Sequence, residues 1–264
     1  MTTQKNIASA VDNCIVPKMR STIVSQKKGQ YVSGFSVGIL YLDNCWYPVI
    51  PGNVANLLTY DFPVQLKVVP DCNTASLLSG DRSLLDSIIQ AAKELEAEGA
   101  RAICAACGFF GNFQDKVAEA VDIPVYLSSI IQVPWIKTGL KQSQKIGVLT
   151  AYADGLTEEL YASCSVTDSK DLVIKDLSKE DEFSAIIENR GSFDNEKVRQ
   201  EVVGAAISLV TENPDIGAIL LECSDMPPYA ADVQRAVGLP VYDFISMINW
   251  VHFAASQRRY QDIY

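Results

Sequence analysis

The chain has a single histidine, His252, and no second C-x-x-C to accompany Cys104 and Cys107. Zinc sites gather several such ligands at close spacing, so no metal is expected. There is no G-x-G-x-x-G and no P-loop, which leaves nucleotide binding without its usual Gly-rich cradles. Positive charge is scarce: 22 Lys and Arg stand against 32 Asp and Glu, a formal net charge of −10. A phosphate backbone would meet no basic stripe, so nucleic acid is not an expected partner. Apolar runs are short, and none approaches the ~20 residues that a membrane span requires. The opening "MTTQKNIASAVDNC" lacks the apolar core of a signal peptide. The expectation is a cytoplasmic protein with no membrane partner.

What is present is 264 residues, 48% hydrophobic and 20% charged, enough for one large domain or two compact lobes. Seven cysteines, an odd number spread along a chain without a secretory signal, are expected as free thiols. From Ser36 onward short β-rich runs alternate with segments of helical period. Strands are predicted at 36–42, 64–69, up to Ala106, at "PVYL", 145–151, "DLVIKDL", "GAILLE" and "PVYDF". Helices are predicted at 83–99, about 112–121, 154–162, 196–212, near 229–237 and after Phe244. This alternation argues for parallel α/β layers.

The second half echoes the first. "ARAICAACGFFGNFQDKVAEAVDIPVY" (100–126) aligns without a gap on "IGAILLECSDMPPYAADVQRAVGLPVY" (216–242). Ala102, Ile103, Cys107, Val117, Ala120, Val121 and the triplet 124–126 each meet an identical residue 116 positions later. An amphipathic helix and a strand with Gly-[IV]-Leu precede both copies, in "VGIL" and "IGVL". The fold class expected is α/β, with two similar doubly wound parallel-sheet lobes related by a pseudo-two-fold and an active site in the cleft between them. The first lobe would take residues 1–140, with an N-terminal extension, plus a returning C-terminal helix in 245–264; the second would take 141–244.

Packing accounts for most of the repeated residues but does not require the repeated cysteine. Cys107 and Cys223 each follow an apolar strand and precede a helix, at the carboxyl ends where open α/β sheets build their sites. A helix N-terminus there favours some thiolate and offers N–H groups to a substrate carboxylate. Two like thiols on either side of one cleft suit inversion of a stereocentre, in which a base works on one face and an acid on the other. Cys104 aligns with Leu220 and reads as a strand residue; Cys14, Cys45, Cys72 and Cys164 read as packing.

In "AACGFFGN…IPVY", "KIGVLTA" and "AILLECSDMP…LPVY" the chain resembles the aspartate/glutamate/hydantoin racemase superfamily from about Ser36 onward. The resemblance implies a racemase or epimerase that needs no cofactor, neither pyridoxal phosphate nor metal, acting on an amino acid or related small carboxylate or hydantoin. Cys107 and Cys223 fall on its two catalytic cysteines, and Gly108, Phe109, Thr150, Ser224 and Asp225 on positions that contact the substrate. "PVIPGNVANLLTYDFPV" (48–64) looks like a loop of an uncharacterised subgroup; within it Asn53, Thr59 and Tyr60 are candidates for a lid and Asn53 for a substrate contact. The family's amino-acid racemases usually carry Asn-Thr after the first cysteine, where this chain has Gly-Phe-Phe, which points to a less polar or bulkier substrate group. Maleate-type cis–trans isomerases share both cysteines. Arylmalonate decarboxylases resemble this pattern with one cysteine missing.

Other readings start from other residues. "GFSVG" (34–38) matches the G-x-S-x-G of a hydrolase elbow, with His252 as its conceivable base, but it opens a strand where an elbow opens a helix. A non-catalytic two-lobe binding protein would keep the cleft without needing matched thiols. Glu222 precedes Cys223 and by strand alternation should point away from it, leaving it either packed or able to tune the thiol or meet a substrate amine. Association of identical copies stays open.

Overall fold

The computed structural model describes residues 25, 26, 28 and 30–258. Most of the expected N-terminal extension, Cys14 included, lies outside the described residues. Two four-stranded parallel sheets form the frame. The first has the order β2-β1-β3-β4, with β1 Val37–Tyr41, β2 Val64–Val68, β3 Ala102–Ala105 and β4 Val125–Tyr126. The second has the order β6-β5-β7-β8, with β5 Lys145–Thr150, β6 Leu172–Asp176, β7 Ile216–Leu221 and β8 Val241–Tyr242. The two orders are the same topology written twice, as two doubly wound lobes.

The repeat in sequence is a repeat in register. Ile103 pairs with Val125 and Cys104 with Tyr126; Ile219 pairs with Val241 and Leu220 with Tyr242. The shared glycine of "VGIL" and "IGVL" has a packing cause. A Cβ on Gly38 would lie 2.9 Å from Leu95 of helix α2 (Leu85–Glu98), and one on Gly147 would lie 3.0 Å from Leu209 of helix α6 (Asn195–Glu212). In each lobe the crossover helix lies so close on the central strand that only glycine fits beneath it. Gly99 ends α2 in the left-handed conformation, and Asp194 caps the start of α6 through the N–H groups of Glu196 and Lys197.

Three apolar clusters fill the layers. One contains Leu40 and Ile103 of the first sheet with Ile146, Val148, Ala218 and Leu220 of the second, so the lobes share a core. Another backs the second sheet with α6. In the third, helix α8 (Phe244–Ala255), opened by a capping box of Asp243 and Ser246, lays Phe244, Met247, Ile248 and Val251 on the first sheet. Cys104 is wholly buried there. No described helix is long and apolar enough to cross a membrane.

Several local expectations change. The helix predicted at 112–121 is a 3-10 segment, Gly108–Phe113, followed by α3, Gln114–Ala120. The one at 154–162 likewise divides into a 3-10 turn, Ala153–Gly155, and α5, Glu158–Ser163. "PVYL" and "PVYDF" contribute only two strand residues each. Helices α1, Thr74–Leu78, and α4, Val133–Thr138, had too few periodic residues to be read. The remaining helix, α7, is Ala230–Val237.

Candidate active site

Each cysteine follows a central strand and begins a turn. Ala106 N–H donates to Leu40 O at 2.9 Å, and in the other lobe Glu222 N–H donates to Leu149 O at 2.8 Å. Beyond these ties the chain leaves the sheet and folds back. Cys107 O accepts from Phe110 N–H at 3.3 Å and Cys223 O from Met226 N–H at 3.2 Å. The backbone N–H two residues on, of Phe109 in one lobe and Asp225 in the other, is aimed at the thiol and favours its anion. The pseudo-two-fold therefore carries both sulfurs together with their donors.

Both thiols line one cavity of about 30 Å³, with Leu42, Tyr47, Leu78, Phe109 and Asp225 around it. Gly108 and Ser224 also face it. Among the described residues, its lining holds two carboxyls and no Lys, Arg or His. Cys107 is partly open, while Cys223 and Asp225 are 7% and 8% exposed. Phe110 turns into the shared core instead, so of the two phenylalanines only Phe109 meets the cavity.

Asp225 is held by four donors. Its Oδ2 accepts from Cys223 Sγ at 3.5 Å, Ser224 Oγ at 3.3 Å and Tyr47 OH at 3.4 Å, and its Oδ1 accepts from Asn53 Nδ2. Burial outweighs these bonds and pushes its pKa up to about 6. Glu222 is more isolated. Oε2 accepts from Thr150 Oγ1 at 2.8 Å, Oε1 is buried with no partner, and burial raises the pKa to about 7. Burial first, then the two neighbouring carboxylates, push both thiols well above the ordinary cysteine value. Both effects work against the fraction of thiolate expected at a helix N-terminus. The helical segments here are 3-10 turns of six and three residues, too short to offset that desolvation.

Of the residues singled out from sequence, Cys107, Cys223, Gly108, Phe109, Ser224 and Asp225 all meet the cavity. Thr150 and Asn53 stand behind it and hold the carboxyls of Glu222 and Asp225. Thr59 and Tyr60 tie their own loop together: Thr59 Oγ1 bonds Gly52 N–H and Asn53 O, and Tyr60 OH bonds Val54 O. That loop is a strap fixed to the second lobe, with Val54 N–H on Ser224 O at 3.3 Å and Gly52 against Pro228. Glu222 faces the cavity beside Cys223, against the alternation rule, because β7 ends at Leu221. Tyr47 lay in a segment without period or motif and escaped notice. Ser36 Oγ and His252 Nδ1 do meet, at 2.6 Å. Ser36, however, is buried at the amino end of β1, opposite the thiols, and His252 stacks on Phe62 with ring centroids 3.5 Å apart. A strand follows the serine, so no nucleophile elbow exists.

The sequence profile described as Asp/Glu/Hydantoin racemase matches residues 74–250. A protein of Durusdinium sp. clade D named dimethylsulfoniopropionate lyase is 31% identical over 217 residues, which are 80% of this chain and 71% of that protein. Dimethylsulfoniopropionate lyase 7 of Emiliania huxleyi (strain CCMP1516) is 30% identical over 224 residues, 81% of this chain; the chain spans 65% of that relative's length. Among solved structures, a variant of arylmalonate decarboxylase bound to sulfate superposes with a TM-score of 0.57 at 19% identity, covering 85% of this chain and 95% of the other.

Proposed function

The chain belongs to the Asp/Glu/hydantoin racemase family, and we propose that it removes the proton alpha to the carboxylate of a small substrate with a cysteine thiolate, then expels a sulfonium group from the next carbon. The observation that carries this reading is the pair of thiols on matched turns at one cavity, each met by the N–H two residues on. A group that takes a carbon-bound proton must be a strong base shielded from water, and a buried thiolate is one.

The lining supports a zwitterionic substrate. Two buried carboxyls and two thiols without a cation hold the thiols protonated. An onium group entering beside them supplies positive charge and brings the thiol pKa down. Asp225, bonded to Cys223 Sγ, accepts that thiol's proton, and the two share one negative charge opposite the onium. The Cys223 thiolate then takes the α-proton. The C–H electron pair becomes the Cα=Cβ bond, and the Cβ–S bond breaks with its electrons on sulfur. A neutral thioether and an unsaturated carboxylate leave, and Asp225 passes its proton to solvent. The relatives named dimethylsulfoniopropionate lyase make that compound the first substrate to try.

The symmetry of the thiols favours a second reading, racemisation or epimerisation, in which Cys107 returns a proton to the opposite face of the same carbanion. One experiment separates the two. Dimethyl sulfide released from dimethylsulfoniopropionate is measured alongside deuterium uptake at the alpha carbon of amino acids, hydantoins and 2-substituted acids in D2O. Sulfide release supports elimination, whereas exchange with inversion and no release supports racemisation. Full activity in both Cys107→Ser and Cys223→Ser, on any substrate turned over, defeats both.

A further inference from the structure

The site has a buried acid that neither thiol step uses. Glu222 is 0% exposed and comes from the turn that carries Cys223, yet its side chain reaches across the cleft to Gly108, the neighbour of Cys107. One oxygen is committed to Thr150; the other, Oε1, has no partner and lies where a side chain at Gly108 would begin. An unpartnered oxygen in an apolar interior is costly as a carboxylate and far less so as a hydroxyl that can donate.

The chemistry needs such a donor. Removing the α-proton from a carboxylate leaves a second negative charge on a group that already carries one, in a cavity lined by buried side chains. The lining offers no Lys, Arg or His to meet it. Backbone N–H groups help, but each sulfur already engages one of them. Of the hydroxyls in the lining, those of Tyr47 and Ser224 already donate to Asp225, and a neutral carboxyl is a far stronger acid than any hydroxyl there.

We propose that Glu222 acts as the acid of the site, entering the reaction protonated and donating from Oε1 to an oxygen of the substrate carboxylate as the α-proton leaves. This rests on the carbanion reading above. Glu222 O–H forms a strong hydrogen bond to the carboxylate oxygen, and the proton shifts toward it as charge builds, giving an enediol-like monoanion. When the leaving group departs or the carbon is reprotonated, the proton returns to Oε1. Nothing is consumed. Asp225, with four donors, starts as the anion and takes the Cys223 proton; Glu222, with one, starts as the acid.

The groups facing Glu222 are Asp225 and Cys223 on its own turn, Cys107 across the cleft, Tyr161 of α5 and Cys164 just after it. None is a cation, so the proton is not displaced by a neighbour. A pKa of about 7 leaves the acid available at neutral pH.

The test reads proton linkage and does not need turnover. Propionate is titrated calorimetrically at pH 6 to 9 in buffers of different ionisation heat, with wild type and Glu222→Gln. Wild type should take up a proton on binding above pH 7, and its affinity should fall about tenfold per pH unit there, as expected of a ligand that binds the protonated form. Above pH 7, where Asp225 is already ionised, Glu222→Gln should take up none and bind with a flat profile. If sulfide release or α-proton exchange is found, its kcat should fall as pH rises through about 7 in wild type. Glu222→Ala should lose about 100-fold in kcat, the usual scale for removing one oxyanion donor, and Glu222→Gln should lack the alkaline limb. Failure of wild type to bind propionate at pH 6, binding without Glu222-dependent proton uptake, or a limb retained in Glu222→Gln overturns the assignment. If proton linkage is intact and no substrate is turned over, the acid stands and the carbanion reading falls.

Discussion

A Cβ built on Gly108 would lie 1.5 Å from Glu222 Oε1 and 2.6 Å from its Cδ. Gly108 is not a turn glycine, since it lies outside the set with positive φ; it is the space into which a carboxyl from the other lobe inserts. A side chain at 108 and an acid at 222 in this position exclude each other.

Gly108→Ala is therefore expected to push Glu222 out of place at a cost of about 1–3 kcal/mol, the range for overpacking a closed site. With Glu222→Ala already present, the same change should cost less, because its main clash is gone. Urea unfolding of the two single variants and the double variant measures the coupling, expected at about 0.5–3 kcal/mol. Costs that simply add would show that the two residues do not oppose each other.

The thiols divide the two fates of the carbanion. If elimination is the reaction, Cys223→Ser should lose at least about 100-fold in sulfide release, the scale of losing a general base. Cys107→Ser should stay within about tenfold, since its proton is not needed. If inversion is the reaction, both variants should fail equally in the overall step. In either case burial keeps the free thiols protonated. Alkylation of Cys107 and Cys223 by iodoacetamide, followed by peptide mass mapping, should be slow at pH 7.5 and rise only well above the ordinary thiol range.

The two-lobe frame and the pair Cys107/Cys223 were legible because a duplicated unit repeats its strand ends along with its core. Residues that act through others were harder to read. Asn53 and Thr150 are near the site, but each serves a carboxyl, which no spacing in the chain records. Alternation misplaced Glu222, since the rule holds only while the strand lasts and β7 stops one residue earlier. The upward shift of the thiols was not legible, for an energetic reason. Two short 3-10 turns are set against desolvation beside two carboxyls, and the composition near each cysteine does not reveal that desolvation.

The buried acids also set a pH dependence of stability. Glu222 and Asp225 have folded pKa values of about 7 and about 6, above the ordinary ~4.3 and ~3.9 expected in the unfolded chain. Folded protein thus holds protons that the unfolded chain releases. Their contribution is complete below about pH 4 and is lost as pH rises through the folded values. Each carboxyl should lower stability by up to about 1.4 kcal/mol per pH unit, Asp225 between about pH 4 and 6 and Glu222 between about pH 4 and 7. Urea midpoints at pH 5, 6, 7 and 8 should decline and then level off. Glu222→Gln should flatten the part between pH 6 and 7, above the Asp225 value, and a profile there as steep as wild type would show that the acid is not held protonated.

Thr150→Val removes the one hydrogen bond that favours the Glu222 anion and leaves the volume almost unchanged. Since that bond lowers the Glu222 pKa, its loss should raise it further. The alkaline fall in propionate affinity should then begin at a higher pH than in wild type, with affinity at pH 6 little altered. The fold should lose about 1–3 kcal/mol, because a second carboxyl oxygen becomes buried without a partner. A role for Thr150 as a direct substrate contact makes the opposite forecast, weaker binding at every pH with the midpoint unmoved. Calorimetry on this single variant decides between the two, since only a threonine acting through Glu222 shifts the titration.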